Sequence, residues 1–315
     1  MQDPVTFIEP IELFNLLNQV YLGVPCLVRE HGIVLFDTRK PKEYAESHII
    51  TAKHVQYSEA DGYLLPKNID YTAVEHIVVI DNRTSSLKDL MSTGVACAKY
   101  LYNKLGSKYS VKVVRGGYEH FSALYPFLRS SKIMFTQREK YLIKMYPIEM
   151  VAQFLYNGTF DQAADPLVAK HLKIKAHINT TTKTDPRFNV DEMASGQEGK
   201  MVPHLLNIPL DDDIKSDAYP HFTTVCTFID NHNKKDGKAV LIYSDLGVSR
   251  SAVFVLAYLM HALKIPLKEA LAYTLKYHQS YCPNRAFVDS LMKWEEDVLK
   301  VKVTKADDLG YLSYQ

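Results

Sequence analysis

The 315-residue sequence predicts an α/β protein of two domains, each a sheet flanked by helices. Three observations carry that expectation. Short apolar runs of strand length recur in both halves and alternate with helical stretches, the pattern of parallel α/β sheets. Two such runs end in glycine-containing turns, at Arg115-Gly116-Gly117 and at Leu246-Gly247-Val248. The chain is also long enough to bury two separate cores.

In the N-terminal half, residues 31–39 (HGIVLFDTR) read as a buried strand ending in Asp37-Thr38-Arg39, followed by Glu43-Tyr44 and His48-Ile49. Residues 74–80 form a second apolar run, and residues 111–114 lead into the Gly116-Gly117 turn. Cys97 falls inside a helical stretch and reads as a small core residue. Residues 130–141 mix charge with apolar side chains, as in a linker packed on one domain and not a free tether.

In the C-terminal half, residues 185–200 are polar, contain glycine and lack periodicity, so a surface loop is expected. Residues 222–230 read as an amphipathic helix and residues 240–243 as a strand. Residues 251–263 read as an apolar helix, and residues 286–299 as a helix holding the single tryptophan, Trp294. Beyond residue 302 no period is visible, and fraying is expected.

The loop Ser244, Asp245, Leu246, Gly247, Val248, Ser249, Arg250, Ser251 is the strongest candidate site. Gly247 permits positive backbone dihedrals that let successive N–H groups converge on an anion. Arg250 can hold two phosphate oxygens bidentately, and the helix that follows points its positive end at the same place. The competing reading is a strand, a turn and a buried helix with Arg250 in a structural salt bridge. Asp245 counts against binding, because a carboxylate facing the cup weakens its hold on an anion.

Strand, loop and helix in this order resemble the phosphate-binding loop of the dual-specificity phosphatases, which places His-Cys where this chain has Tyr243-Ser244. The resemblance extends to Leu206-Asn207-Ile208-Pro209, which puts Asp212 at the general-acid position; a solvated acidic loop capping the next helix reads equally well. Residues 146–158 resemble the opening strand and turn of that domain, and residues 172–179 its next strand. The N-terminal motifs are similar to the rhodanese pattern, in which an active sulfurtransferase carries a cysteine where this chain has Asp81. The expected organisation is an inactive rhodanese-like domain at 8–130, a linker at 131–145, a dual-specificity phosphatase-like domain at 146–302 and a flexible tail at 303–315. That order resembles the MAP kinase phosphatases and, with serine in the cysteine position, a pseudophosphatase of that group.

The chemistry of that exchange decides the functional expectation. A cysteine of ordinary pKa about 8.5 becomes a thiolate among amides, a helix N-terminus and an arginine. Serine stays a neutral hydroxyl and needs an adjacent base, which the loop lacks. Ser244 with Asp245 as base is disfavoured, since neighbouring side chains in a tight loop diverge. The resemblance therefore implies a catalytically inactive regulator that binds a phosphorylated protein, another phosphatase or a signalling partner. Two alternatives stay open: slow phosphoester hydrolysis through Ser244 or a water with Asp212 as acid, and a scaffold that binds no phosphate. Active relatives grip their kinase with a run of arginines, which residues 55–61 lack, while Arg39, Lys40 and Lys42 lie in the structural pattern; direct MAP kinase docking is not expected to carry over.

No cofactor or metal is expected. The twelve histidines include no His-x3-His pair, and His171 and His177 lack a third ligand. Cys26, Cys97, Cys226 and Cys282 show no metal spacing and suit a reducing compartment. Lys plus Arg at 37 balances Asp plus Glu at 36, so no overall field favours nucleic acid or an anionic membrane. No apolar run reaches the roughly 20 residues of a spanning helix, and Met1-Gln2-Asp3-Pro4 opens neither a secretory signal nor an Arg-rich presequence. A cytoplasmic protein is expected, with a mitochondrial pool left open.

Overall fold

The structure, a computed structural model, describes residues 5–310 apart from 22–23, 30–31, 68, 72, 107–109, 185–203, 237–238 and 306. The polar stretch 185–200 expected to form a surface loop lies outside the described residues. The chain divides into two compact units, Met1–Lys144 and Met145–Gln315.

The first unit contains strands β1 (Val5–Ile8), β2 (Ile33–Asp37), β3 (Lys53–His54), β4 (His76–Ile80) and β5 (Val111–Val114). They form one sheet in the order β1-β5-β4-β2-β3 with every pair parallel. Central strands of such a sheet are covered on both faces, so β2 and β4 are almost continuously apolar. Helix α1 (Thr93–Leu105) packs against β4 and β5, and Cys97 on it is fully buried. Burial pushes the Cys97 thiol up to about 12, so it stays a neutral core group. Residues 137–141 form a short helix in which Thr136 and Glu139 cap each other. Gln137 Nε2 donates to Val28 O at 2.9 Å, which fastens this segment to the first unit.

The second unit contains β6 (Ile148–Val151), β7 (Leu155–Thr159), β8 (Ile174–Asn179), β9 (His204–Asn207) and β10 (Ala239–Ser244). Its sheet order is β6-β7-β10-β8-β9, parallel except for the β6–β7 pair. All six residues of β10 are buried. Helix α2 (Arg250–Leu263) follows β10 directly and is buried from Ser251 to Met260. An all-round apolar helix requires cover on every side, supplied by helices Phe222–Asp236, Leu267–Tyr277 and Arg285–Leu299 and by the sheet. Trp294 lies in this core and donates from Nε1 to Ala257 O at 3.1 Å.

The expectation of a flexible tail at 303–315 is corrected for Val303, Thr304 and Leu309, while residues 306 and 311–315 lie outside the described residues. The fully buried Glu295 carboxylate accepts the N–H groups of Leu267, Val303 and Thr304 at 2.7, 2.7 and 2.8 Å, and Leu309 is buried. Burial pushes this carboxyl up, but the Thr304 hydroxyl and the three amides outweigh it and hold it below its usual range. Ionised, it ties residues 303 and 304 to the helical core.

Candidate functional site: a phosphate loop with its own carboxylate

The loop 245–249 leaves the end of β10 and enters α2 at Arg250. Gly247 has φ +75°, and a Cβ there would stand 2.9 Å from Gly158 O, so both backbone conformation and close approach demand glycine. Two further contacts fix the loop: Asn157 Nδ2 donates to Gly247 O at 2.6 Å, and Cys282 N donates to Val248 O at 2.9 Å.

Ser244 is 2% exposed. Its hydroxyl oxygen accepts the Gly247 N–H at 3.0 Å and lies 3.0 Å from the Ser251 hydroxyl. Neither neighbour is a base. Tyr243 is fully buried, its ring centroid 6.0 Å from Phe160 and 6.2 Å from His177, and its carbonyl accepts from Thr180. It therefore serves the core packing beside the loop.

The loop holding Asp212 is joined to the phosphate loop by Ser249 and Arg250 and to a neighbouring helix start by Asn284. Ser249 Oγ donates to Asp212 Oδ1 at 2.6 Å, Asn284 Nδ2 donates to the same oxygen at 3.0 Å, and Arg250 Nη1 donates to Leu210 O at 3.1 Å. Asn284 also caps the helix Arg285–Leu299 through its Oδ1, so one side chain starts the helix and braces Asp212. Asp212 is thus brought to the loop, where Arg250 Nε lies 3.9 Å from its Oδ2.

Arg250, the residue expected to hold two phosphate oxygens, is engaged within the chain, as the competing salt-bridge reading has it. Its Nη2 is ion-paired with the carboxylate of Asp245, and Lys183 Nζ reaches the other oxygen of that carboxylate. The Lys183 hydrogen bond, assisted by Arg250 and opposed by burial, holds the Asp245 carboxyl below its ordinary value. The chain thereby places an anion of its own on the arginine. Leu246 is 73% exposed at the rim. Sequence reasoning missed Lys183 because it lies in another loop with no local motif; only the fold brings it to Asp245.

In the first unit, Asp81 follows β4 and is buried. Its Oδ1 accepts Thr84 N at 3.0 Å, and its Oδ2 accepts the Ser92 hydroxyl at 2.6 Å and that of Thr84. Ser92 in turn caps α1. A Cβ at Gly117 would stand 2.4 Å from the Asn82 backbone, so the glycine lets the turn close over this loop. Asp81 is a structural anchor of the turn and leaves no thiol there.

Among the described residues, no group of three or more His, Cys, Asp or Glu is arranged to hold a metal ion, and no single helix is long and apolar enough to cross a membrane.

Comparison with known proteins finds similarity to two domain families. Residues 155–297 match the family described as dual specificity phosphatase, catalytic domain, and residues 27–124 match the rhodanese-like domain. A protein of Dictyostelium discoideum named a probable rhodanese domain-containing dual specificity protein phosphatase is 30% identical over 60% of this chain and 38% of its own length. Dual specificity protein phosphatase 1 of Mus musculus is 28% identical over 88% of this chain and 82% of its own. The structure of human DUSP28 is 24% identical with a TM-score of 0.41, covering 49% of this chain and 94% of that one. The chain thus spans well under two thirds of the Dictyostelium relative and most of the mouse one. It carries a rhodanese-like domain followed by a dual-specificity phosphatase domain.

Proposed function

We propose that the protein is a pseudophosphatase, a regulatory binding protein for a phosphorylated protein, another phosphatase or a signalling partner. The observation that carries this reading is the environment of Ser244: a buried neutral hydroxyl whose contacts are an amide and a second hydroxyl. A serine nucleophile needs a base within hydrogen-bond reach. Asp245, the adjacent carboxylate, is engaged by Arg250 and Lys183. The rhodanese-like domain is read as silent in the same way, with Asp81 bound into its turn.

The mode of partner binding is proposed to differ from direct MAP kinase docking. Arg39 is 6% exposed, doubly hydrogen-bonded to Asp37 and stacked 3.6 Å from the Tyr118 ring centroid. It is not presented to an acidic groove. Cys26, Cys97, Cys226 and Cys282 are free thiols, which supports a reducing, cytoplasmic setting.

Binding of matched phosphorylated and unphosphorylated peptides to the full chain tests this reading. A preference for the phosphorylated form that disappears in Arg250→Ala is expected. Equal affinity for both forms would favour the scaffold whose loop binds no phosphate.

A further inference from the structure

Lys183 is not a stray surface cation. Its backbone N–H donates to Thr181 Oγ1 at 3.1 Å, its carbonyl accepts from Asn179 Nδ2 at 2.9 Å, and Thr181 Oγ1 donates to Asn179 Oδ1 at 2.8 Å. Asn179 is the last residue of β8, which pairs with β10, so the turn is set beside the phosphate loop by the sheet itself. The Lys183 ammonium also lies 5.5 Å from the centroid of the Phe160 ring, which packs on Tyr243. A built turn therefore delivers a second cation to the carboxylate that Arg250 holds.

Among the described residues, Arg250 and Lys183 are both ion-paired with Asp245, and Arg250 Nε lies 3.9 Å from Asp212, so an incoming dianion meets two positive and two negative groups there. Asp245 presents two oxygens to two cations, the same pairing a phosphomonoester would use. With that carboxylate displaced or neutralised, the two cations face Asp212 alone and the local field favours a dianion.

We infer that Asp245 is a built-in competitor ligand of the phosphate loop and that Lys183, with Arg250, is a phosphate-binding residue: a phosphomonoester dianion binds by exchange for the Asp245 carboxylate. This inference rests on the phosphate-binding reading above and adds to it the residue that sets the affinity.

The test is calorimetric titration of the full chain with phenyl phosphate at fixed pH and ionic strength. Asp245→Asn is expected to tighten binding about tenfold, and Asp245→Ala, which has no side-chain amide to make contacts of its own, to do the same. Adding Lys183→Met to Asp245→Asn is expected to reverse most of that gain, and adding Arg250→Ala to abolish it, with circular dichroism confirming each fold. Unchanged affinity in both Asp245 variants, with binding still lost in Arg250→Ala, would overturn the inference and leave the phosphate-binding reading standing. Absence of binding in every folded variant would overturn both.

Discussion

The Tyr243→His, Ser244→Cys double variant is expected to hydrolyse aryl phosphates roughly 10³-fold faster than the protein-free control, a level the unaltered chain does not exceed. The change supplies what the loop lacks. A thiolate at residue 244 can accept the same Gly247 N–H that the serine hydroxyl accepts at 3.0 Å. Arg250 stands at the start of α2, and Asp212, at the position that the resemblance gives the general acid, is already braced by Ser249 and Asn284. Asp245 opposes the gain, since it shares Arg250 and adds negative charge beside the thiolate. A third change, Asp245→Asn, is therefore expected to raise turnover about tenfold more. Histidine leaves space in the fully buried Tyr243 site, at a cost of about 1–3 kcal/mol. Turnover of p-nitrophenyl phosphate is the assay. A folded triple variant with no turnover would show that the loop has lost more than its nucleophile.

Asp37→Ala is expected to destabilise the first unit by about 3–5 kcal/mol, the usual cost of stranding one partner of a buried ion pair. Asp37 is fully buried at the end of β2 and receives the Arg39 Nε and Nη2 hydrogen bonds at 3.0 and 2.7 Å, as well as the Arg39 backbone N–H. Arg39 also donates to Ser47 O at 2.7 Å, so the pair ties the end of β2 to the C-terminal end of the short helix Pro41–Glu46. Without Asp37, a guanidinium stays buried against Tyr118 with one carbonyl as its remaining hydrogen-bond acceptor. Urea unfolding followed by circular dichroism measures the loss. A change under about 1 kcal/mol would mean that Arg39 swings into solvent and that this arginine is available at the surface after all.

The parts of the fold legible in the sequence are those where burial acts on every residue of a run. Residues 239–243 of β10 and 252–260 of α2 are a run of apolar and aromatic side chains because both are covered on all sides, and their order exposes the loop between them. The β6–β7 hairpin is legible only as a strand and a turn, since its antiparallel pairing is set by Gln153 at φ +55° and not by an apolar pattern. The tail escaped because Glu295 pins Val303 and Thr304 by hydrogen bonds without periodicity. The site divides in the same way. Gly247, Arg250 and Ser251 announce themselves by spacing, and the conflict posed by Asp245 is visible as a charge. That the carboxylate lies on Arg250, and that Lys183 holds its other side, follows only from the sheet register that sets β8 beside β10.

The central claim is that phosphate-loop geometry is kept while catalysis is absent, and the most direct test is turnover by the unaltered chain. Phosphate release from a phosphopeptide is followed for the full chain and for Arg250→Ala, both purified to constant specific activity. The account predicts no release above the protein-free control in either. Release by the unaltered chain that persists through purification and vanishes in Arg250→Ala would contradict it, and would make Ser244, or a water working with Asp212, the nucleophile of a slow phosphatase.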